Sequence, residues 1–208
     1  TGDYPGCRWH LSKGGGGMGS ELPLGRRISV HPSMILWLSI LIYLQPRLSV
    51  AFLLAAAVHE LGHVTALSLM GKPPDQLHLS FLGANMDVPA LSYGQAAMAY
   101  ASGPLLNLIL GLYLPICPAL GLMSLALGLF NLLPVCGLDG SGILVSLLSL
   151  CFAPETAQRT ARIISIVLCM LALPFAVWAG KRYQMGLWLS ALAGLLLAKS
   201  VYLVARNE

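Results

Sequence analysis

Residues 49–70 read SVAFLLAAAVHELGHVTALSLM, an apolar run broken only by His59, Glu60 and His63 at its centre. At ~1.5 Å of rise per residue a helix of this length crosses ~30 Å of hydrocarbon. The three ionisable groups are therefore misplaced for an ordinary span. An ionised carboxylate at mid-helix costs ~2.5–3.5 kcal/mol on insertion scales and is normally kept for a function.

The rest of the chain supports lipid as the solvent. Of its 208 residues 57% are hydrophobic and 10% charged, whereas a soluble domain carries about 25% charged residues. Too few polar groups remain to coat a water-soluble fold. Apolar runs at roughly 32–45, 49–70, 94–114, 118–152 (interrupted), 158–180 and 184–205 predict about six crossings. The fold class expected is an all-α polytopic membrane protein with one membrane domain over 29–208. Lys199 lies inside the last run and must snorkel toward an interface.

Charge placement sets the orientation. With a cytoplasmic N-terminus, Arg8, Lys13, Arg26, Arg27, Lys72, Arg159, Arg162, Lys199 and Arg206 fall inside, and only Arg47, Lys181 and Arg182 outside. This asymmetry predicts both termini in the cytoplasm. The net charge of +4 then reflects topology and anionic lipid, with no nucleic-acid partner expected. The cysteines, Cys7, Cys117, Cys136, Cys151 and Cys169, are odd in number and form no CxxC pair, so no disulfide framework is implied. Residues 1–28 read as a flexible N-terminal arm without the apolar core of a signal peptide, and Met18 is an alternative start.

Val58-His59-Glu60-Leu61-Gly62-His63 contains HExxH. Histidines at i and i+4 share one helical face at a separation that suits one Zn²⁺, and the glutamate between them can deprotonate the metal's water. The competing reading is a pair of histidines that lock helices together by hydrogen bonds. A catalytic zinc takes three protein ligands and keeps one position open. The candidate third ligand is Asp139, in Phe130-Asn131-Leu132-Leu133-Pro134-Val135-Cys136-Gly137-Leu138-Asp139-Gly140. Pro134, Gly137 and Gly140 should interrupt the helix there, which membranes tolerate only where protein or a wet cavity satisfies the backbone. On the residues alone Asp139 could instead cap a helix starting near Gly140, and Cys136 could replace it as a thiolate ligand.

HELGH in the second span and NLLPxxxLDG in a later broken span together resemble the site-2 protease family of intramembrane zinc metalloproteases. Gly103-Pro104-Leu105-Leu106-Asn107 looks like that family's GPxxN element. The resemblance runs from about Ile28 to Leu150. It implies His59, His63 and Asp139 as zinc ligands and Glu60 as catalytic base. It also implies a membrane-embedded or membrane-tethered protein substrate, and it leaves room for a membrane inhibitor or regulator. The compact layout is most similar to the branch that processes a pro-sigma factor in sporulation, which would place the chain in a bacterial cell membrane. No PDZ insertion or CBS tail is apparent, and the family's LDGG is Leu138-Asp139-Gly140-Ser141 here.

Leu77, Leu79 and Phe81 alternate with His78 and Ser80 before Gly83-Ala84-Asn85, a pattern that fits a small membrane-associated β-hairpin after the second span and, on the residues alone, a surface loop about as well. In the family such an edge could receive an unwound substrate by strand addition. Of two amides in apolar surroundings, the resemblance favours Asn131 as a substrate or oxyanion donor. Asn107 shares a face with Gly103 and Gly111 and reads as packing. His78 reads as interfacial, and His10 and His31 are remote from the motifs. Other chemistries fit less well. Ser141 as a nucleophile would leave two histidines at metal spacing unexplained, and an aspartyl protease needs a second embedded aspartate beside Asp139. A transporter would often show internal repeats, which are absent. The remaining alternative is a zinc-binding pseudoprotease scaffold, against which the intact Glu60 argues.

Overall fold

The computed structural model describes residues 22–23, 28–30, 32, 39, 42–43, 46–80, 83–112 and 115–182. The expected first span, 32–45, falls largely outside these residues, and the last, 184–205, wholly outside them. Among the described residues the elements whose bounds are defined run in the order β1 (Leu22–Pro23), β2 (Ile28–Val30), α1 (Pro46–Leu69), β3 (Gln76–Ser80), β4 (Gly83–Asp87), α2 (Tyr93–Gly111), α3 (Pro118–Asn131), α4 (Asp139–Leu148) and α5 (Pro154–Arg182).

The burial pattern is the inverse of a soluble bundle. On α2 the buried positions are Ala96, Ala99, Tyr100, Gly103, Pro104, Asn107 and Gly111, recurring every three or four residues along one face. Met98, Leu105 and Ile109 point outward and are more than half exposed. On α3 the inner face is Gly121, Ser124, Gly128 and Asn131, while Leu122 and Leu129 face out. Large apolar side chains outside and small or polar ones inside are what lipid selects, since close backbone approach replaces the hydrophobic effect between helices. Among the described residues two helices are long and apolar enough to cross a membrane, Ser49–Leu69 and Pro154–Trp178.

Local signals end the helices. At the end of α1, Gly71 has φ +70°. Lys72 N–H donates to Leu67 O (2.9 Å) and Gly71 N–H to Ser68 O (3.0 Å), the paired bonds of a Schellman cap. Ser92 and Gln95 form a capping box at the start of α2, each side chain accepting from the other's backbone N–H.

The hairpin expected after the second span is present as the antiparallel pair β3–β4, with His78 opposite Asn85. The sheet extends further than that hairpin. Ile28–Val30 pairs parallel with Leu77–Leu79, and Leu22–Pro23 pairs antiparallel with β2, giving the order β1-β2-β3-β4. Met86 and Val88 anchor its described end on Leu67 of α1 and Ala99 of α2, with Val64, Leu77 and Leu91 packed around them.

The interrupted segment 118–152 is two short helices, α3 and α4, of 14 and 10 residues. Neither covers ~30 Å at ~1.5 Å per residue. The break is 132–138, where Pro134 cannot donate and Gly137 takes φ +91°. Its backbone is satisfied inside the protein: Val135 N–H donates to Leu133 O (2.7 Å), Leu138 N–H to Val135 O (3.0 Å) and Cys136 N–H to the Ser165 hydroxyl of α5 (2.8 Å). Ser165 is fully buried. Removing its hydroxyl in Ser165→Ala would take a buried acceptor away from the Cys136 amide, at ~1–3 kcal/mol. Thermal unfolding in detergent should show lower stability than wild type, with Ser165→Thr closer to wild type.

Gly140 was expected in the break and lies instead within the first turn of α4. Its role is space. A Cβ there would stand 2.2 Å from Leu132 O and 2.5 Å from Leu133 O, so α4 could not start against the end of α3 with a larger residue.

Candidate metal centre

Three side chains from two distant helices converge. His59 and His63 lie one turn apart on α1, each 3% exposed, and Asp139 opens α4, 2% exposed. His59 Nε2 is 2.9 Å from Asp139 Oδ2, His63 Nε2 is 3.4 Å from the same oxygen, and the two Nε2 atoms are 3.2 Å apart. The imidazoles meet edge to face, centroids 4.8 Å apart and planes at 83°. All three ligand-type atoms lie within 4.8 Å of one another.

The helices are brought together by missing side chains. A Cβ on Gly62 would stand 2.8 Å from Ser102 O and 2.9 Å from Gly103 Cα, so α1 and α2 touch backbone to backbone at this level. A Cβ on Gly103 would stand 2.4 Å from His63 Nε2, which shows that the imidazole occupies the space above that glycine. On α4, a Cβ on Gly142 would enter the Tyr100 ring at 2.6 Å. Glycines thus set the depth at which each helix enters the cluster.

The orientation of each ring is also fixed. His63 Nδ1 is 2.7 Å from the Ala99 carbonyl, which can only accept, so Nδ1 carries the proton and Nε2 presents a lone pair to the cluster. His59 Nδ1 is 3.2 Å from Nδ2 of Asn107, a residue with no exposed surface. Asn107 packs between helices as expected, and its interhelical bond reaches a candidate ligand across 48 residues of sequence. Nothing local in the sequence signals that contact, which exists only once α1 and α2 are packed. Asp139 does not act as a cap. The N-cap is Leu138, without a side-chain cap bond, and Asp139 sits in the first turn, where the helix dipole favours its carboxylate.

The other candidates fall in different places. Glu60 is half-buried beside the cluster, and it and Asp139 both put negative charge against His63. Asn131 is buried at the end of α3, and its amide donates to Leu127 O at 3.0 Å. Ser141 is fully buried with its hydroxyl donating to Leu138 O (2.9 Å), which offers no support for a serine nucleophile. Cys136 is buried in the break and is not among the three converging residues.

Comparisons with known proteins bear on this arrangement. Residues 113–173 match the model of peptidase family M50, a segment that includes the break and Asp139 but not His59, Glu60 or His63. No curated protein sequence matches the chain. Among solved structures the chain is similar to the site-2 protease from Methanocaldococcus jannaschii, with TM-score 0.65 and 23% identity over 88% of this chain and 93% of that one. The chain is similar to peptidase family M50 and has a site-2 protease fold.

Within that fold, the residues fit a divalent metal. Two neutral imidazoles and a carboxylate are a donor set of the kind that holds catalytic zinc, all three are buried, and their donor atoms face one point. His59 Nε2, His63 Nε2 and Asp139 Oδ2 lie 2.9–3.4 Å from one another, a crowding of donor atoms that a shared cation would accommodate.

Proposed function

We propose that this chain is an intramembrane zinc metalloprotease that hydrolyses peptide bonds of membrane-embedded or membrane-tethered proteins. The observation that carries this reading is the convergence of His59, His63 and Asp139 from α1 and α4 on one buried point, with Glu60 beside it. His59, His63 and Asp139 would hold Zn²⁺, which when bound acidifies water and polarises a carbonyl. Glu60 accepts a proton from the attacking water and returns it to the leaving amine, the role of a general base that becomes a general acid. Asn131 uses one amide hydrogen on Leu127 O and retains a second, which supports it as a donor to substrate or oxyanion. The substrate's own helix has to unwind first, because its carbonyls are otherwise bonded within it.

The distribution of Lys and Arg supports six crossings with both termini in the cytoplasm of a bacterial cell, and the four-stranded sheet supports strand addition as the way an unwound segment is held. The compact layout supports a membrane-tethered pro-sigma factor as substrate. Purified protein is expected to hold about one Zn²⁺ per chain. A membrane-tethered test peptide should be cut by the holoprotein, spared after treatment with a strong chelator, and cut again once Zn²⁺ is restored. Cleavage that continues in demonstrably metal-free protein would overturn the proposal.

A further inference from the structure

The side-chain amide of Asn107 is entirely buried and hydrogen-bonds to His59 Nδ1 at 3.2 Å, while its Oδ1 meets no hydrogen-bonding partner among the described residues. In this orientation Nδ2 faces Nδ1. An amide nitrogen can only donate, so this orientation requires Nδ1 to be the acceptor and puts the imidazole proton on Nε2. His59 Nε2, however, is the atom that faces the cluster, 2.9 Å from Asp139 Oδ2 and 3.2 Å from His63 Nε2. A proton there would occupy the lone pair that a metal needs.

A half-turn of the amide exchanges oxygen and nitrogen with little change in shape, and the two atoms are assigned from their hydrogen bonds rather than from their outlines. The orientation with Nδ2 toward His59 leaves Oδ1 without a hydrogen-bonding partner among the described residues, so internal bonding does not favour it. Nor does the metal. We propose that Asn107 is the positioning residue of His59: its side-chain oxygen accepts the Nδ1 proton, which locks the imidazole in the tautomer whose Nε2 lone pair points at the metal. The arrangement matches the other imidazole, where the Ala99 carbonyl accepts from His63 Nδ1 at 2.7 Å. Both oxygens come from α2, Ala99 and Asn107 being eight residues or about two turns apart on its buried face. Helix α2 thus contributes no ligand and orients both imidazole ligands.

This inference rests on the metal-centre reading, and zinc affinity separates their failures. The probe is Zn²⁺ competed against a chromophoric chelator, with the full chain in detergent as wild type, His59→Ala, Asn107→Asp and Asn107→Leu. Wild type should bind about one Zn²⁺ and His59→Ala should lose it; equal binding by these two would sink the metal centre itself. Given that centre, Asn107→Asp keeps an oxygen opposite Nδ1 and should retain affinity within a few-fold. Asn107→Leu keeps the volume without the acceptor and should lose ~10–100-fold, the usual effect of removing an outer partner of a metal-bound histidine. Co²⁺-loaded Asn107→Asp should also keep the visible ligand-field bands of wild type, a signature that a merely structural role would not control. Zinc affinity in Asn107→Leu equal to wild type would overturn the proposal. So would an Asn107→Asp protein that elutes as a folded species yet has lost its zinc, since the amide nitrogen would then be the essential atom. If Asn107→Leu does not fold, the Asp variant decides alone.

Discussion

Replacing Glu60 by Gln is expected to leave zinc bound and to lower cleavage of a membrane-tethered substrate by ~10²–10⁴-fold, the usual contribution of a positioned general base. Gln has nearly the size of Glu and can hydrogen-bond, but it cannot take a proton from water. Zinc should survive because the three converging ligand-type groups are His59, His63 and Asp139, with Glu60 beside them. Fold should survive because Glu60 is only half-buried. Wild type, Glu60→Gln and Ser141→Ala would be compared in the same membranes by following substrate processing. Undiminished processing by Glu60→Gln would end the assignment of Glu60 as base. A zinc-binding scaffold is distinguished by the complementary result, in which wild type itself cuts no substrate and Glu60→Gln behaves identically.

The second large effect should come from a single added methyl group. In Gly103→Ala the new Cβ would stand 2.4 Å from His63 Nε2 and 2.7 Å from its Cε1, well inside contact distance. The ring has little freedom to move aside. Its Nδ1 is tied to Ala99 O and its other edge meets His59. Either the imidazole leaves the cluster or α1 and α2 separate at Gly62, where they already touch. We expect at least ~10-fold weaker zinc binding, by analogy with the loss of an outer partner, together with ~1–3 kcal/mol of destabilisation from overpacking. Gly94→Ala on the same helix is the control, because nothing lies within 4 Å of its added Cβ. That variant should bind zinc as wild type does. Equal zinc affinity in Gly103→Ala and wild type would show that His63 is not held where the structure has it.

Much of this arrangement was legible in the sequence because its signals are local. Apolar runs define α1 and α5, HExxH puts two imidazoles on one helical face, and Pro134 with Gly137 marks the break that precedes Asp139. The alternation around His78 marks the hairpin. What was not legible depends on packing between elements. Asn107 reads as one more small polar residue on a helix face until α2 is laid on α1 and the amide meets His59. Gly140 reads as a helix breaker, since only the approach of Leu132 and Leu133 shows why a helix has to begin with it. Strands of two and three residues, β1 and β2, are too short to carry a period at all.

The inverted packing of α2 and α3 also predicts how such a chain drifts over time. Leu105, Ile109, Leu122 and Leu129 face outward, where any apolar side chain of similar reach serves equally well. Gly62, Gly103, Gly128 and Gly142 admit no extra carbon without moving a backbone atom or a close-packed side chain. Substitutions should therefore accumulate on the lipid side almost without selection, while the interior stays nearly frozen. Two chains of this fold can then differ at most positions and still superimpose, as 23% identity at a TM-score of 0.65 illustrates. What specifies the fold is then a thin inner seam of glycines, amides and candidate ligands, and overall identity measures it poorly.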